Sequence, residues 1–281
     1  PEGDLLFGQA ATELTPHSVR LADGRTIEAR GVIDARGPGD MSALKLGYQK
    51  FVGASWVCRE PHGLAEPIIM DAAVPQHDGY RFVYTLPLSP TELFIEDTYY
   101  ADAAMLEEPT LLARIVSYAR TQGWEGEARG HSETGVLPVC MGGDIERYWE
   151  AQSPGVAKVG LRGGFFHALT GYSLPDAARN ALAIAEMDDF SGSALHEVLR
   201  ARARAHWRGQ AFYRMLATLL FRAATPDERW RVLARFYSLD PALIARFYAG
   251  QTTFLDKLRL LTGKPPVPVG RAIAALGAPG G

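Results

Sequence analysis

Seven residues in the middle of the chain concentrate the side chains that could do chemistry: Phe94-Ile95-Glu96-Asp97-Thr98-Tyr99-Tyr100. On a β-strand, neighbouring side chains point to opposite faces. Phe94, Glu96, Thr98 and Tyr100 would then share one face, and Ile95, Asp97 and Tyr99 the other. A carboxyl group among aromatic rings sits in a poorly solvated site. Desolvation raises its pKa and makes it a candidate proton donor near neutral pH. The other reading is an edge strand whose acids face water.

A second segment runs Val159-Gly160-Leu161-Arg162-Gly163-Gly164-Phe165-Phe166-His167 and continues to Pro175. It reads as a strand, then a glycine-rich loop, then a helix starting near Ser173 or Leu174, with Ser173 as a possible N-cap. Glycines let a backbone approach a flat ring, and the free N–H groups of a helix start suit a phosphate or a flavin carbonyl. A tight strand-to-helix connection without a ligand has the same pattern. His167 by itself reads more readily as structural than catalytic. A third segment, Met141 to Trp149, carries carboxylates and aromatics that could line a cavity or form a surface turn.

These segments need elements to hold them. Val19-Arg20-Leu21 and Thr26-Ile27-Glu28-Ala29 flank Asp23-Gly24, a strong hairpin turn signal. Gly31 to Gly37 reads as a short buried strand ending in glycine. Strands are expected at 67–72, 80–86 and 93–100, with turns at Pro75, Asp78-Gly79 and Pro87 to Pro90. A helix is expected over 103–122, with Leu106, Leu111, Leu112, Ile115 and Tyr118 on one face. A further strand pair is expected near 132–138 and 157–161. From about Leu174 onward the chain reads as helix, with marked starts at Thr225-Pro226 and Asp240-Pro241 and a stop at Gly250. The echo of Arg235-Phe236-Tyr237 in Arg246-Phe247-Tyr248 reads as coincidence.

With 47% hydrophobic and 22% charged residues, the chain is globular rather than disordered. Its two cysteines, Cys58 and Cys140, have no CxxC spacing, so no disulfide framework or zinc site is expected and a reducing compartment fits. No run approaches the roughly 18 apolar residues of a membrane-spanning helix. Pro1-Glu2-Gly3-Asp4 is not a signal peptide, and without an initiator Met the chain is expected to begin inside a longer protein. The net charge of −3 hides a polarity: residues 200–281 hold 14 Lys/Arg and 4 Asp/Glu, which suits either an anionic partner for the basic end, nucleic acid or lipid, or a solvated helical surface.

Phe94 to Tyr100 resembles the FIEDTYY signature of bacterial lycopene β-cyclases. Gln49 to Gly53, Pro61 to Leu64, Pro67 to Ala72, Asp78 to Tyr84, Gly142 to Ile145, Thr170 to Pro175 and Leu261 to Pro268 resemble that family too, in order. The chain departs from the family's pattern at its front, where no GxGxxG loop for the ADP part of FAD occurs.

The resemblance implies an α/β (α+β) fold: a two-dinucleotide-binding flavoprotein truncated at the N-terminus, with a β-sheet substrate domain and a helical C-terminal region. Residues 1–45 and 155–190 would belong to the FAD-binding domain, 46–154 to the substrate domain and 191–276 to a basic helical region, with 277–281 a disordered tail. It implies closure of the ψ ends of lycopene to β-ionone rings by an acid-initiated carbocation, without net redox change. Reduced FAD would be the cofactor and NAD(P)H its reductant. Glu96 would be the acid and Asp97 its support. Phe94, Tyr99, Tyr100, Tyr80 and Phe82 would contact substrate. Gly163, Gly164, Phe165, His167, Thr170, Gly171 and Ser173 would approach the flavin, with Asp34 and Gly37 nearby.

Lycopene and other linear carotenoids reside in membranes, so the resemblance also implies a cytoplasmic protein on the inner face of the cell membrane. Trp207, Phe212, Tyr213, Leu216, Leu219, Leu220 and Phe221, set among Arg204, Arg208, Arg214 and Arg222, are the expected surface-lying helix. The alternatives are another FAD-dependent oxidoreductase, such as a hydroxylase or prenyl reductase, and a carotenoid- or lipid-binding chain without catalysis. No nucleic-acid-binding module is recognised.

Overall fold

The computed structural model describes residues 4–77, 79–263 and 265–277. Asp78 of the expected Asp78-Gly79 turn, Lys264 of the 261–268 motif and the tail at 278–281 lie outside the described residues. In chain order, strands β1 (Ala11–Leu14), β2 (Ser18–Leu21), β3 (Thr26–Glu28) and β4 (Ile33–Asp34) lead into the long β5 (Leu44–Cys58). Then come β6 (Ile68–Asp71), β7 (Arg81–Ser89), β8 (Glu92–Ala101), helix α1 (Glu108–Thr121), β9 (Gly126–Gly143), α2 (Ile145–Glu150) and β10 (Ala157–Lys158). Helices complete the chain: α3 (Leu174–Ala185), α4 (Gly192–Gly209), α5 (Ala211–Thr218), α6 (Arg229–Tyr237), α7 (Pro241–Tyr248), α8 (Phe254–Leu261) and α9 (Val269–Gly277).

The chain divides into two compact units. The first holds residues up to 45, 142–167 and 172–213. In it, β1, β2 and β3 form an antiparallel meander, and the β2–β3 turn at Gly24 takes the positive φ of 89° that the Asp-Gly signal predicts. β4 and β10 pair in parallel. Lys158 is buried, and its Nζ donates to the carbonyls of Trp149, Ser153 and Val156. Asp144 caps α2 through the Glu146 and Arg147 N–H groups, and Glu146 then ion-pairs with Arg200 and Arg204 of α4. The acids of the third segment are thus a cap and a helix clamp.

The second unit holds 46–141, 168–171 and 214 onward. Its sheet runs β6-β7-β8-β5-β9, so β8 is the central strand and not an edge. α1 packs against one sheet face, where Leu111, Ile115 and Tyr118 meet Val52, Trp56, Val83, Ile95 and Tyr99 in one core. α1 starts at Glu108 rather than near 103, because Pro109 fits a helix's first turn and opens this one. The expected pairing of 132–138 with 157–161 does not occur. β9 extends far beyond that window and belongs to the five-stranded sheet, while β10 pairs with β4. No strand is expected from the sequence at β5, yet Tyr48 to Val57 of this 15-residue strand pair with β8 along its whole length.

The segment expected to lie on a membrane is packed in part against the protein: Trp207, Phe212, Leu216 and Leu219 are half-buried. Tyr213, Ala217, Leu220 and Phe221 are buried, and Phe221 fills the space that a Cβ on Gly47 would need. Apolar side chains spent on packing are not available to lipid.

Candidate functional site

Strand alternation and register build one face of the second unit's sheet. Glu96 stands across from Gly53 on β5 and Tyr84 on β7, and Thr98 across from Phe51 and Phe82. A Cβ at Gly53 would lie 2.3 Å from the Phe94 ring and 3.3 Å from Glu133 Cγ, so only glycine lets these groups close over the strand here. Thr98 Oγ1 donates to Glu96 Oε1 at 2.7 Å. Burial pushes the Glu96 carboxyl above its usual range; the Thr98 hydrogen bond opposes this, and the negative charges of Glu133 and Asp97 add to it. The result is a half-buried carboxyl group biased toward holding a proton.

Aromatic rings continue along the same face. Tyr80 lies 5.2 Å from Phe82 and 6.0 Å from Tyr100, and Phe82 lies 5.5 Å from Tyr84. Tyr100 lines an apolar cavity of about 280 Å³ with Leu169, Thr170, Phe236, Tyr237 and Tyr248. Glu96 and Tyr100 are four residues apart, about 13 Å along an extended strand.

Two groups named with Glu96 lie elsewhere. Asp97 projects to the opposite face, is fully buried, and takes Arg81 Nε and Nη2 at 2.5–3.1 Å. Tyr99, an expected substrate contact, shares that far face and the core, with Lys50 4.8 Å from its ring centre. Alternation separates it from Phe94, Tyr100, Tyr80 and Phe82, which do share the Glu96 face.

Several residues at the cavity went unread in the sequence. The two Phe-Tyr pairs are not a coincidence: the rings of Phe236 and Phe247 lie 4.7 Å apart, and the Tyr237 and Tyr248 hydroxyls hydrogen-bond. Both hydroxyls face the sulfur of Met70, at 3.2 and 3.8 Å. Met70 has φ +58° within the irregular β6–β7 pairing, a left-handed backbone that is costly for a residue with a side chain. The 11-residue spacing was the available signal, and Glu133 offered none.

The glycine-rich segment belongs mainly to the first unit. β4 and β10 run parallel, and the chain beyond them reaches Gly37 (φ +75°) and Gly160 (φ +57°). Nothing lies within 4 Å of a Cβ built on either, so open backbone follows both strands. Ligands of parallel sheets gather beyond the carboxyl ends of the strands, and bare glycine suits a flat ring or a phosphate.

Gly163 differs, since a Cβ there would meet the Phe165 ring at 2.7 Å and the Lys158 carbonyl at 2.9 Å. Gly164 ends the Gly160–Gly163 turn with φ +75°. Phe165 and His167 are buried, packed on His206 and Tyr213 respectively. Ser173 occupies the N-cap position of α3 without a side-chain cap bond. Asp34 is buried. Burial raises its pKa, but hydrogen bonds from Arg36 and the Arg162 charge outweigh this and hold it low. Thr170 and Gly171 fall in the second unit.

The family model described as lycopene cyclase protein matches residues 9–274. The chain belongs to the lycopene cyclase family. Relatives within it include lycopene beta-cyclase of Pantoea ananas, 49% identical over 272 residues, with 97% of this chain and 71% of that protein covered. The lycopene beta-cyclase of Paracoccus sp. (strain N81106 / MBIC 01143) is 45% identical over 273 residues, covering 97% of this chain and 68% of that one. Among solved structures, the flavin-dependent brominase Bmp2 has a similar fold, with a TM-score of 0.50, 15% identity, and 86% of this chain and 64% of that one covered. For a lycopene cyclase, the open glycines after β4 and β10 fit a flavin, whereas Gly163 is closed by its own neighbours.

Proposed function

We propose that this lycopene cyclase closes the ψ ends of lycopene to β-ionone rings, giving γ-carotene and then β-carotene, with Glu96 as the acid. The observation that carries the reading is a half-buried carboxyl of raised pKa on the aromatic face of a central strand. The Glu96 carboxyl gives its proton to the terminal double bond, and the neighbouring alkene attacks the tertiary cation. Tyr84, Phe82 and Tyr100 offer ring faces to that charge. Loss of a ring proton to a carboxylate restores the alkene, so the isomerisation balances without an external oxidant. Thr98 holds the Glu96 carboxyl in place.

Gly37 and Gly160, with Ser173 and the start of α3, would hold the flavin. Held there and kept reduced by NAD(P)H, a flavin would supply electron density against positive charge. We extend the reading to a peripheral position on the inner face of the cell membrane, supported by the apolar nature of the substrate.

The test is anaerobic conversion of detergent-dispersed lycopene by the flavin-loaded full-length protein, read by pigment chromatography. Glu96→Gln should lose cyclic product by roughly 10²-fold or more while retaining flavin. A flavin-loaded, folded protein that makes no cyclic product would overturn the reading. Consumption of one NADPH per product would move it to a redox flavoenzyme.

A further inference from the structure

Two short helices of the second unit turn apolar surface to solvent. On α8, Phe254, Leu258 and Leu261 recur at four- and three-residue steps and Leu255 adjoins them; these side chains are between 50% and 78% exposed. At 100° per residue they form one stripe. The opposite side faces the protein. Asp256 is buried in an ion pair with Arg246 and in the capping box with Thr253, and Leu260 lines the apolar cavity. Lys257 and Arg259 fall at the two borders of the stripe. α9 repeats the design, with Ile273 and Leu276 exposed, Ala275 buried and Ala272 on the cavity wall.

The patch and the cavity are continuous. Leu261 and Val269 are each more than half exposed, and both line the cavity. Charge at the stripe is also one-sided: Lys257 and Arg259 border it, whereas Asp256 on the opposite side is paired with Arg246, and Arg271 of α9 is paired with Glu228. Eight or nine residues cannot cross a bilayer that needs about 20. No helix among the described residues is long and apolar enough to do so. An apolar stripe bordered by cations is the design of a helix lying in the headgroup region.

We propose that the exposed faces of α8 and α9 dock on an anionic phospholipid bilayer, with the cavity mouth at Leu261 and Val269 opening toward the acyl chains. The docking rests on the patch. That an apolar polyene enters through the mouth rests on the cyclase reading.

The experiment is flotation of the full-length protein with vesicles of phosphatidylcholine plus phosphatidylglycerol, and of phosphatidylcholine alone. The combined variant Phe254→Ser, Leu255→Ser, Leu258→Ser should bind the anionic vesicles roughly tenfold or more weakly. Its thermal melt and its conversion of detergent-dispersed lycopene should stay unchanged, since none of the three residues lines the cavity. Lys257→Gln with Arg259→Gln should reduce binding to the anionic vesicles selectively. A control, Leu182→Ser, alters a comparably exposed apolar residue in the body of α3 and should bind as the parent does. Parent-level binding by the triple variant overturns the proposal. So does a parent dimer that the triple variant splits while vesicle binding persists, which would assign the patch to a second copy of the chain. Failure of conversion in detergent bears on the cyclase reading alone.

Discussion

A carboxyl group that must release a proton near neutral pH needs burial without a fixed cationic partner. The influences on Glu96 are burial, the Thr98 hydroxyl and two other carboxylates, whereas its neighbour Asp97 is clamped by Arg81. With Glu96 as the proposed acid, active in its protonated form, conversion should fall as pH rises through its raised pKa. The Glu133 charge contributes to that elevation. Glu133→Gln should therefore shift the alkaline limb of the kcat profile to lower pH, leaving its acid side in place; an unshifted limb would remove Glu133 from the site. The pairing of Glu133 with Glu96 was illegible in the sequence, since 37 positions separate them and only the β5–β9 packing over Gly53 unites them.

At the level of elements, the central strand presents one face to chemistry and the other to the core under α1. The Arg81–Asp97 ion pair ties β7 to β8 on the core face, with side chains 5% and 0% exposed. Removing one member leaves the other charge buried and uncompensated. Asp97→Asn should cost about 3–5 kcal/mol in denaturant unfolding, and because the Asp97 charge also raises the Glu96 pKa, the variant that still folds should move the alkaline limb to lower pH, as Glu133→Gln should. The strand identity of 93–100 and its two faces were legible because period-two alternation needs only the local sequence. The convergence of α6 and α7 through Phe236, Phe247, Tyr237 and Tyr248 was not, because helices announce their own faces but not the partner each face meets.

Across the molecule, the basic end divides its charges between two uses. Arg200 and Arg204 are engaged internally by Glu146, whose pKa is lowered to about 2: the Arg204 hydrogen bond is the largest influence, burial opposes it, and the Arg200 hydrogen bond and the charges of both arginines add to the lowering. A depressed carboxylate contributes stability that is complete above the unfolded-state pKa and lost as pH falls toward the folded one. Glu146→Gln should therefore flatten the loss of thermal stability between about pH 4.5 and pH 2 relative to the parent, and match its slope at neutral pH. Lys257 and Arg259, by contrast, border the exposed stripe of α8.

Residue order alone determined the Asp-Gly hairpin, the Asp240-Pro241 helix start, the alternation around Glu96 and the resemblance carried by motifs in sequence. Each of these depends on neighbours within a few positions, where backbone sterics and periodicity act directly. Tertiary structure decided which apolar segment was left exposed. Leu216 to Phe221 and Phe254 to Leu261 are both apolar stretches with arginines nearby. Only packing distinguishes them: the first turns Leu220 and Phe221 into the protein, and the second leaves Phe254 and Leu255 outside. Burial depends on the shape of the whole fold, which local composition does not encode.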